Sequence, residues 1–467
     1  MIAQLPPNQT LVVFGASGDL TARKVMPALY NLFKLGLLPE QFSVVGYART
    51  PMDDSQFRGA MREAVANHGG QAGQSFEESV WQGWAPNLSY VQGDYSSPED
   101  LSRVVGAVDP KVPILFYCAT PPSEFPGIIT GLGSIGMPRG SRIVIEKPFG
   151  HDLKSAKELN ALLHDNFAEK DIFRIDHYLG KENVQNILVF RFSNGMFEPI
   201  WNRMYVSSVQ IDVAEDLGIG RRGKFYEQAG AIRDIVQNHI LQLLATLMME
   251  PPSSFDAESI RDEKVKVLRA VTPIDPDAVV RGQYVGYRQE AEVAGDSQTE
   301  TFIAARMGIE NWRWAGVPIY IRTGKRLARR ATTISVTFHD APHMLFEESG
   351  MLRPEPNHLT IRIQPDEGIT ITFDAKIPGP EMRIQPVDMS FDYDRSFDVA
   401  PPEAYERLLL DAMQGDRTLF TRADEVERSW EIVADVLTRT DVLFYEPGSW
   451  GPEDADRLVS PQRWHLH

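Results

Sequence analysis

The sequence predicts a doubly wound α/β domain followed by an α+β domain built on a large, mostly antiparallel sheet. Three observations predict it. Short apolar runs alternate with helical patterns through residues 1–174. A glycine turn follows the first of those runs. Beyond about residue 175, alternating strands cluster away from the helices, as antiparallel pairing requires. The expected division is therefore 1–174 and 175–467.

In the first half, LVVFG at 11–15 reads as a strand entering a helix that carries Met26, Leu29, Tyr30 and Phe33. Further strands are expected at 42–48 (FSVVGYA), 112–119 (VPILFYCA) and 142–146 (RIVIE), with helices at 54–66 and 98–108. Asp152 can cap a helix bearing Leu159, Leu162 and Leu163. The Gly- and Gln-rich stretch 67–87 reads as an exposed excursion. In the second half, strands are expected at 205–213, 332–338, 358–364 and 368–374. The last two are joined by the turn Pro365-Asp366-Glu367-Gly368. Helices are expected at about 225–249, 402–413 and 423–439.

The chain has 467 residues, 43% of them hydrophobic and 24% charged, which suits a globular protein with room for a cofactor domain. Its formal net charge of −17 opposes nucleic-acid binding, yet leaves room for a local basic pocket that takes a phosphorylated metabolite. A single cysteine, Cys118, rules out an intrachain disulfide, and no metal site is expected. The start, MIAQLPPNQT, lacks the basic and apolar regions of a secretory signal. The apolar stretch Ile240 to Met249 is far shorter than the roughly 20 residues that span a bilayer. The expectation is a cytoplasmic protein without membrane or nucleic-acid partners.

Five motifs carry chemistry. Gly15-Ala16-Ser17-Gly18-Asp19-Leu20 forms a tight turn into a helix, where backbone N–H groups and the helix dipole favour a pyrophosphate. The spacing is G-x-x-G, so a plain strand-to-helix turn is the competing reading. Arg49, past the second strand, suits a ribose 2′-phosphate where an NAD site would carry an acid; the alternative is a surface arginine. Lys147, in Glu146-Lys147-Pro148-Phe149-Gly150, sits at a strand end, where doubly wound sheets bind ligands; a Glu-Lys ion pair explains it equally well. The segment from Arg174 to Glu182 packs Asp176, His177, Tyr178 and Lys181 ahead of a helix start, a plausible pocket for a phosphomonoester. As a polar turn it would need no ligand.

The fifth is His239. At 100° per residue it shares the apolar helix face of Ile232, Val236 and Leu243, where a lone histidine is more often a satisfied core residue. Asp234 falls about 140° away on that geometry. Were His239 a base, its carboxylate partner would come from elsewhere, with Asp176 the natural choice.

At these residues the chain closely resembles the glucose-6-phosphate 1-dehydrogenase family, over essentially its whole length. The resemblance runs through GASGDLTARKVMPALYNLF, GYAR, IEKPFG, FRIDHYLGKENVQN, IRDIVQNHILQLL, IRDEKVKVL, GVPIYIRTGKRL, IRIQP and AYERLLLDAM, in order. It implies a Rossmann-type N-terminal domain and a larger domain on an antiparallel sheet. It implies oxidation of D-glucose 6-phosphate at C1 to 6-phospho-D-glucono-1,5-lactone with NADP, the first step of the oxidative pentose phosphate pathway, in a homodimer or homotetramer. His239 is then the general base and Asp176 its orienting carboxylate. His177, Tyr178 and Lys181 are phosphate ligands, and Lys147 and Lys325 bind substrate. Glu215 and Asp234 contact sugar hydroxyls, while Arg330 and Gln364 match further substrate-side positions. Gly15, Ala16, Ser17, Gly18, Asp19, Leu20, Arg49 and Lys147 fall to the cofactor.

Two departures bear on this. The tail is short and Ala331 stands where animal members carry a basic residue, so a second, structural NADP site is not expected. Phe125 stands where some members place a tyrosine at the cofactor. Two rivals are a related dehydrogenase of another sugar phosphate and an NADP-binding sensor without catalysis. The sensor would be favoured by loss of His239, Asp176 or Lys147, and all three are present.

Overall fold

The computed structural model describes residues 5–69, 75–109, 111–343, 356–397 and 402–466. The chain divides into two compact units. The first takes 1–182, 252–262 and 400–427; the second takes 183–251, 263–399 and 428–467. The expected boundary at 174 falls one residue before the end of a strand, and the first unit continues past it.

The sheet of the first unit contains β1 (Gln9–Phe14), β2 (Phe42–Ala48), β3 (Leu88–Gln92), β4 (Ile114–Cys118), β5 (Arg142–Ile145) and β6 (Ile172–Ile175). Their order is 3-2-1-4-5-6, all parallel, the arrangement of a dinucleotide-binding Rossmann fold. β1, β2 and β4 are buried almost throughout, as strands covered on both faces must be. The order reverses at β1, so a crevice opens beyond the C-terminal ends of β1 and β4, where such sheets bind ligands.

Two late segments complete this unit. The short strand Phe420–Thr421 pairs antiparallel with β6, and the Phe420 ring meets Phe173 edge-on at 4.9 Å. The helix Ala404–Gln414 returns Glu406 to Asn31, whose amide donates to it at 2.7 Å. Arg142 donates to the carbonyls of Ala412 and Met413 at that helix's C-terminal end.

The excursion expected at 67–87 is corrected in part. Residues 70–74 lie outside the described residues, but Glu78–Trp84 is a helix with Trp81 and Trp84 buried. Trp84 packs on Tyr30 and Phe33 with ring centroids 6.1 Å apart in each case, so aromatic burial overrides the polar composition. The expected cap at Asp152 is present: its carboxylate accepts from Ser155 N–H at 2.8 Å, and the helix is Leu153–Asn166.

The second unit is built on β7 (Val206–Ala214), β8 (Val279–Tyr284), β9 (Phe302–Met307), β10 (Ile319–Gly324), β11 (Ala331–Phe338), β12 (His358–Gln364), β13 (Gly368–Lys376) and β14 (Ile384–Asp392). Together with Leu443–Tyr445 they form one sheet in the order 14-13-12-11-7-10-9-8 followed by the short strand. The pairs β7–β10 and β8 with Leu443–Tyr445 are parallel, and the rest are antiparallel.

Candidate active site

In the first unit the glycine turn is set by geometry that only glycine tolerates. Gly15 has φ +81°, and a Cβ there would lie 2.4 Å from the Ala119 carbonyl oxygen at the end of β4. Gly15 and Ala16 N–H both donate to the Tyr47 carbonyl, and Gly18 N–H donates to the Gly15 carbonyl. The N–H groups left to meet a phosphate are those of Ser17, Asp19 and Leu20, where the turn runs into the helix. Asp19 is exposed and ion-paired to Arg23 at 3.0 Å. Ser17 is exposed, and its Oγ lies 2.9 Å from the Thr50 Oγ1. That contact joins the turn after β1 to Arg49 and Thr50 after β2.

Arg49 is half-exposed, stacked 4.8 Å over the Tyr95 ring. No acid stands beside it in sequence, but two reach it from elsewhere. Glu124 accepts from both guanidinium ends at 3.0 and 2.7 Å, and Asp94 lies 3.7 Å from Nε. The Glu124 hydrogen bonds raise the Arg49 pKa further. Asp53 and Asp54, the acids nearest in sequence, are committed elsewhere. Asp53 caps the helix Asp54–His68, and Asp54 accepts from Tyr90 N–H.

Ile145 pairs with Arg174, so Lys147 and Asp176 each emerge two residues beyond the same rung. Glu146 does not serve simply as an ion partner of Lys147. Its buried carboxyl accepts from Tyr117 Oη at 2.5 Å and from Tyr405. Burial pushes its pKa up to about 7, against the pull of both phenols and of Lys147. Tyr117 and Tyr405 are themselves raised by burial and by the Glu146 charge.

After β6 the chain turns tightly. Asp176, 2% exposed, accepts from Tyr178 N–H at 3.0 Å, and its carbonyl accepts from Leu179 N–H. The His177 and Tyr178 rings lie 5.2 Å apart, and Lys181 Nζ sits 5.3 Å from the Tyr178 ring. Gly180 passes so close to the helix Ala404–Gln414 that a Cβ would lie 2.8 Å from the Ala404 carbonyl oxygen. The structure thus brings His177, Tyr178 and Lys181 into one turn, as a phosphate site needs.

In the second unit, β7 and β10 run parallel with Ala214 opposite Gly324, so the next residues, Glu215 and Lys325, leave the sheet side by side. Lys325 Nζ donates to the Glu215 carboxylate and lies 3.7 Å from Asp234, with the Tyr226 ring at 5.4 Å. Lys325 is 3% exposed and Asp234 7%, so this ammonium is held among carboxylates with little water. An ammonium donor beside two carboxylate acceptors can both donate to and accept from hydroxyl groups. Arg330 donates to Gln364 at 3.3 Å, and Gln364 donates to Thr332 at 3.0 Å; these two residues form a separate pair at the β11–β12 rungs.

His239 belongs to a π-helix, Ile232–Ile240, instead of the α-helix the spacing suggested. The expected 140° between Asp234 and His239 is therefore corrected: i→i+5 bonding draws residues five apart toward one face. His239 is 1% exposed. The start of this helix is fixed by residues that the spacing did not single out. Gly230, at φ +62°, leaves room for Glu300, which a Cβ would meet at 2.4 Å. Glu300 accepts from Ile232 N–H at 3.0 Å and pairs with buried Arg281 at 2.6 Å. Gly230 and the acid Glu300 are visible in the sequence, but only the fold joins them.

A Rossmann sheet with a glycine turn at its switch point defines the class of dinucleotide-binding proteins, and the second unit adds a buried polar cluster at Glu215, Asp234 and Lys325. The family descriptions "Glucose-6-phosphate dehydrogenase, NAD binding domain" and "Glucose-6-phosphate dehydrogenase, C-terminal domain" match residues 12–186 and 188–465. The chain belongs to the glucose-6-phosphate dehydrogenase family. A glucose-6-phosphate 1-dehydrogenase of Chlamydia pneumoniae is 44% identical, covering 97% of this chain and 94% of its own length. That of Borreliella burgdorferi is 41% identical, covering 97% of each. The crystal structure of the Mycobacterium avium enzyme superposes with TM-score 0.90 at 39% identity over 99% of both chains. A glucose-6-phosphate dehydrogenase in complex with its substrate glucose-6-phosphate superposes with TM-score 0.89 at 35% identity over all of both. No helix among the described residues is long and apolar enough to cross a membrane.

Proposed function

We propose that this protein oxidises D-glucose 6-phosphate at C1 to 6-phospho-D-glucono-1,5-lactone, with NADP as acceptor. The observation that carries the reading is near-full-length similarity to curated dehydrogenases of this name, and the sequence keeps His239, Asp176, Lys147 and the 176–181 segment.

The glycine turn, with the helix start behind it and Ser17, Arg49 and Thr50 at its rim, fits a phosphorylated dinucleotide. Gly15 through Leu20 would hold the pyrophosphate, and Arg49 would meet the 2′-phosphate. When bound, the nicotinamide supplies the hydride acceptor. His239 takes the proton from the C1 hydroxyl, a task that suits an imidazole. Asp176 orients that imidazole and stabilises its charged form. His177, Tyr178 and Lys181 grip the 6-phosphate, and binding energy from that remote group positions C1 for reaction. Lys147, Lys325, Glu215 and Asp234 fix the sugar hydroxyls, with Arg330 and Gln364 farther along the substrate side. The enzyme works in the cytoplasm as a homodimer or homotetramer.

The test is the purified protein with glucose 6-phosphate and NADP, followed by absorbance of the reduced cofactor. Turnover with glucose 6-phosphate that exceeds turnover with other hexose and pentose phosphates is the expected result. A stronger response to another sugar phosphate would move the chain to the rival dehydrogenase reading, and no turnover with any would favour a sensor.

A further inference from the structure

Arg49 stands where the proposed reading needs a cation for the 2′-phosphate, yet the end of its guanidinium is already paired with a carboxylate. Both ends donate to Glu124, at 3.0 and 2.7 Å, and Nε faces Asp94 at 3.7 Å. Stacking on buried Tyr95 fixes the plane of the guanidinium. Glu124 ends the short turn Pro122–Glu124 after β4, across the switch-point crevice from β1. One positive charge with two negative ones leaves this corner net negative. Glu124 takes one N–H from each terminal nitrogen of Arg49, so a ribose 2′-phosphate dianion must either displace it or bind the remaining N–H groups with the Glu124 carboxylate close beside it. A ribose with a free 2′-hydroxyl meets no such conflict: Glu124 can accept its hydrogen bond with the Arg49 pair intact.

We infer that Glu124 is a second determinant of cofactor choice, opposing Arg49: it holds the phosphate-reading fork closed, weakens the preference for NADP, and leaves NAD usable. This rests on the dinucleotide reading of the first unit and adds a residue that the glycine turn and Arg49 do not reveal.

The size follows from charge. Removing one negative charge about 6 Å from a dianion in a water-like medium is worth about a factor of ten in affinity. The test titrates adenosine 2′,5′-bisphosphate and 5′-AMP, probes that differ only in the 2′-phosphate, into the full-length protein by calorimetry. Wild type, Glu124→Gln and Arg49→Ala are compared. Glu124→Gln should tighten the bisphosphate about tenfold and change 5′-AMP by less than twofold; Arg49→Ala should weaken the bisphosphate alone. With glucose 6-phosphate, the ratio of kcat/KM for NADP over NAD should rise in Glu124→Gln by a similar factor. If wild type binds both probes but Glu124→Gln leaves their affinity ratio unchanged or lowers it, the inference about Glu124 fails and the site reading stands. If wild type binds neither probe, both fall together. Glu124→Lys, which reverses the charge at this partly buried position, should raise the ratio further; a fall there also overturns the inference.

Discussion

Replacing Glu146 by glutamine should remove a loss of stability that the first unit suffers as pH rises. The carboxyl is 6% exposed and sits between Tyr117 and Tyr405, just ahead of Lys147. Burial lifts its pKa from the ordinary 4.5 to about 7. Below pH 4.5 it is protonated whether the chain is folded or not, and its stability contribution is fully present. Between pH 4.5 and 7 the unfolded chain releases the proton and the folded one keeps it, so stability falls as pH rises. Above pH 7 the loss is complete. A shift of this size corresponds to about 3 kcal/mol. The amide cannot ionise, so Glu146→Gln escapes the loss. The assay is urea unfolding of both proteins at pH 5 and pH 8, using midpoints and slopes. The stability of the variant relative to wild type should grow by about 2–3 kcal/mol from pH 5 to pH 8. Asp411, also raised by burial to about 7, titrates in both proteins and cancels. A difference that is flat with pH, or that shrinks as pH rises, would refute the burial argument.

Three further outcomes are expected. His239→Asn should lower kcat by about 10²–10⁴-fold with KM for glucose 6-phosphate nearly unchanged; wild-type kcat at saturating substrate would remove His239 from the base role. Lys181→Ala should reduce kcat/KM for glucose 6-phosphate far more than for free glucose, and equal losses would place Lys181 away from the phosphate. Arg322→Met should destabilise the second unit by about 3–5 kcal/mol in urea. It removes the guanidinium that donates to buried Asp212, 1% exposed, at 2.6 Å and that stacks on Trp464 at 4.4 Å. A loss below 1 kcal/mol would mean that Asp212 is satisfied without Arg322.

The strand FSVVGYA was legible to the residue because its β-branched run ends in turn residues, and β12 because it alternates up to Gln364 before the Pro365-to-Gly368 turn. β3 was missed because the Gly- and Gln-rich stretch beside it dominated the pattern, although Trp81 and Trp84 were the signal of burial there. β8, β9 and β10 were also missed: β8 and β10 each take one partner strand from far along the chain, Leu443–Tyr445 and β7. At the site, residue types were readable and their environments were not. Arg49 stood out after β2, but Glu124 comes from 75 residues further on, and no local pattern announces it. The π-helix around His239 was invisible to a count made at 100° per residue, and the Gly230–Glu300 contact that sets its start joins residues 70 apart.

The return of residues 400–427 to the first unit has a consequence for how the protein is made. The Rossmann sheet gains its last strand at Phe420–Thr421, and Asn31 gains its partner at Glu406, only when the C-terminal part of the chain has been synthesised. The first unit's N-terminal stretch ends at 182, so 245 more residues must leave the ribosome before its 400–427 segment arrives complete. At roughly 5–20 residues per second, that is a wait of about 12–50 s during which the β6 edge and the face awaiting the 404–414 helix lie open. For that interval the nascent dinucleotide-binding unit exposes an unpaired strand edge and apolar surface, and an isolated fragment ending near 182 should be aggregation-prone by the same logic.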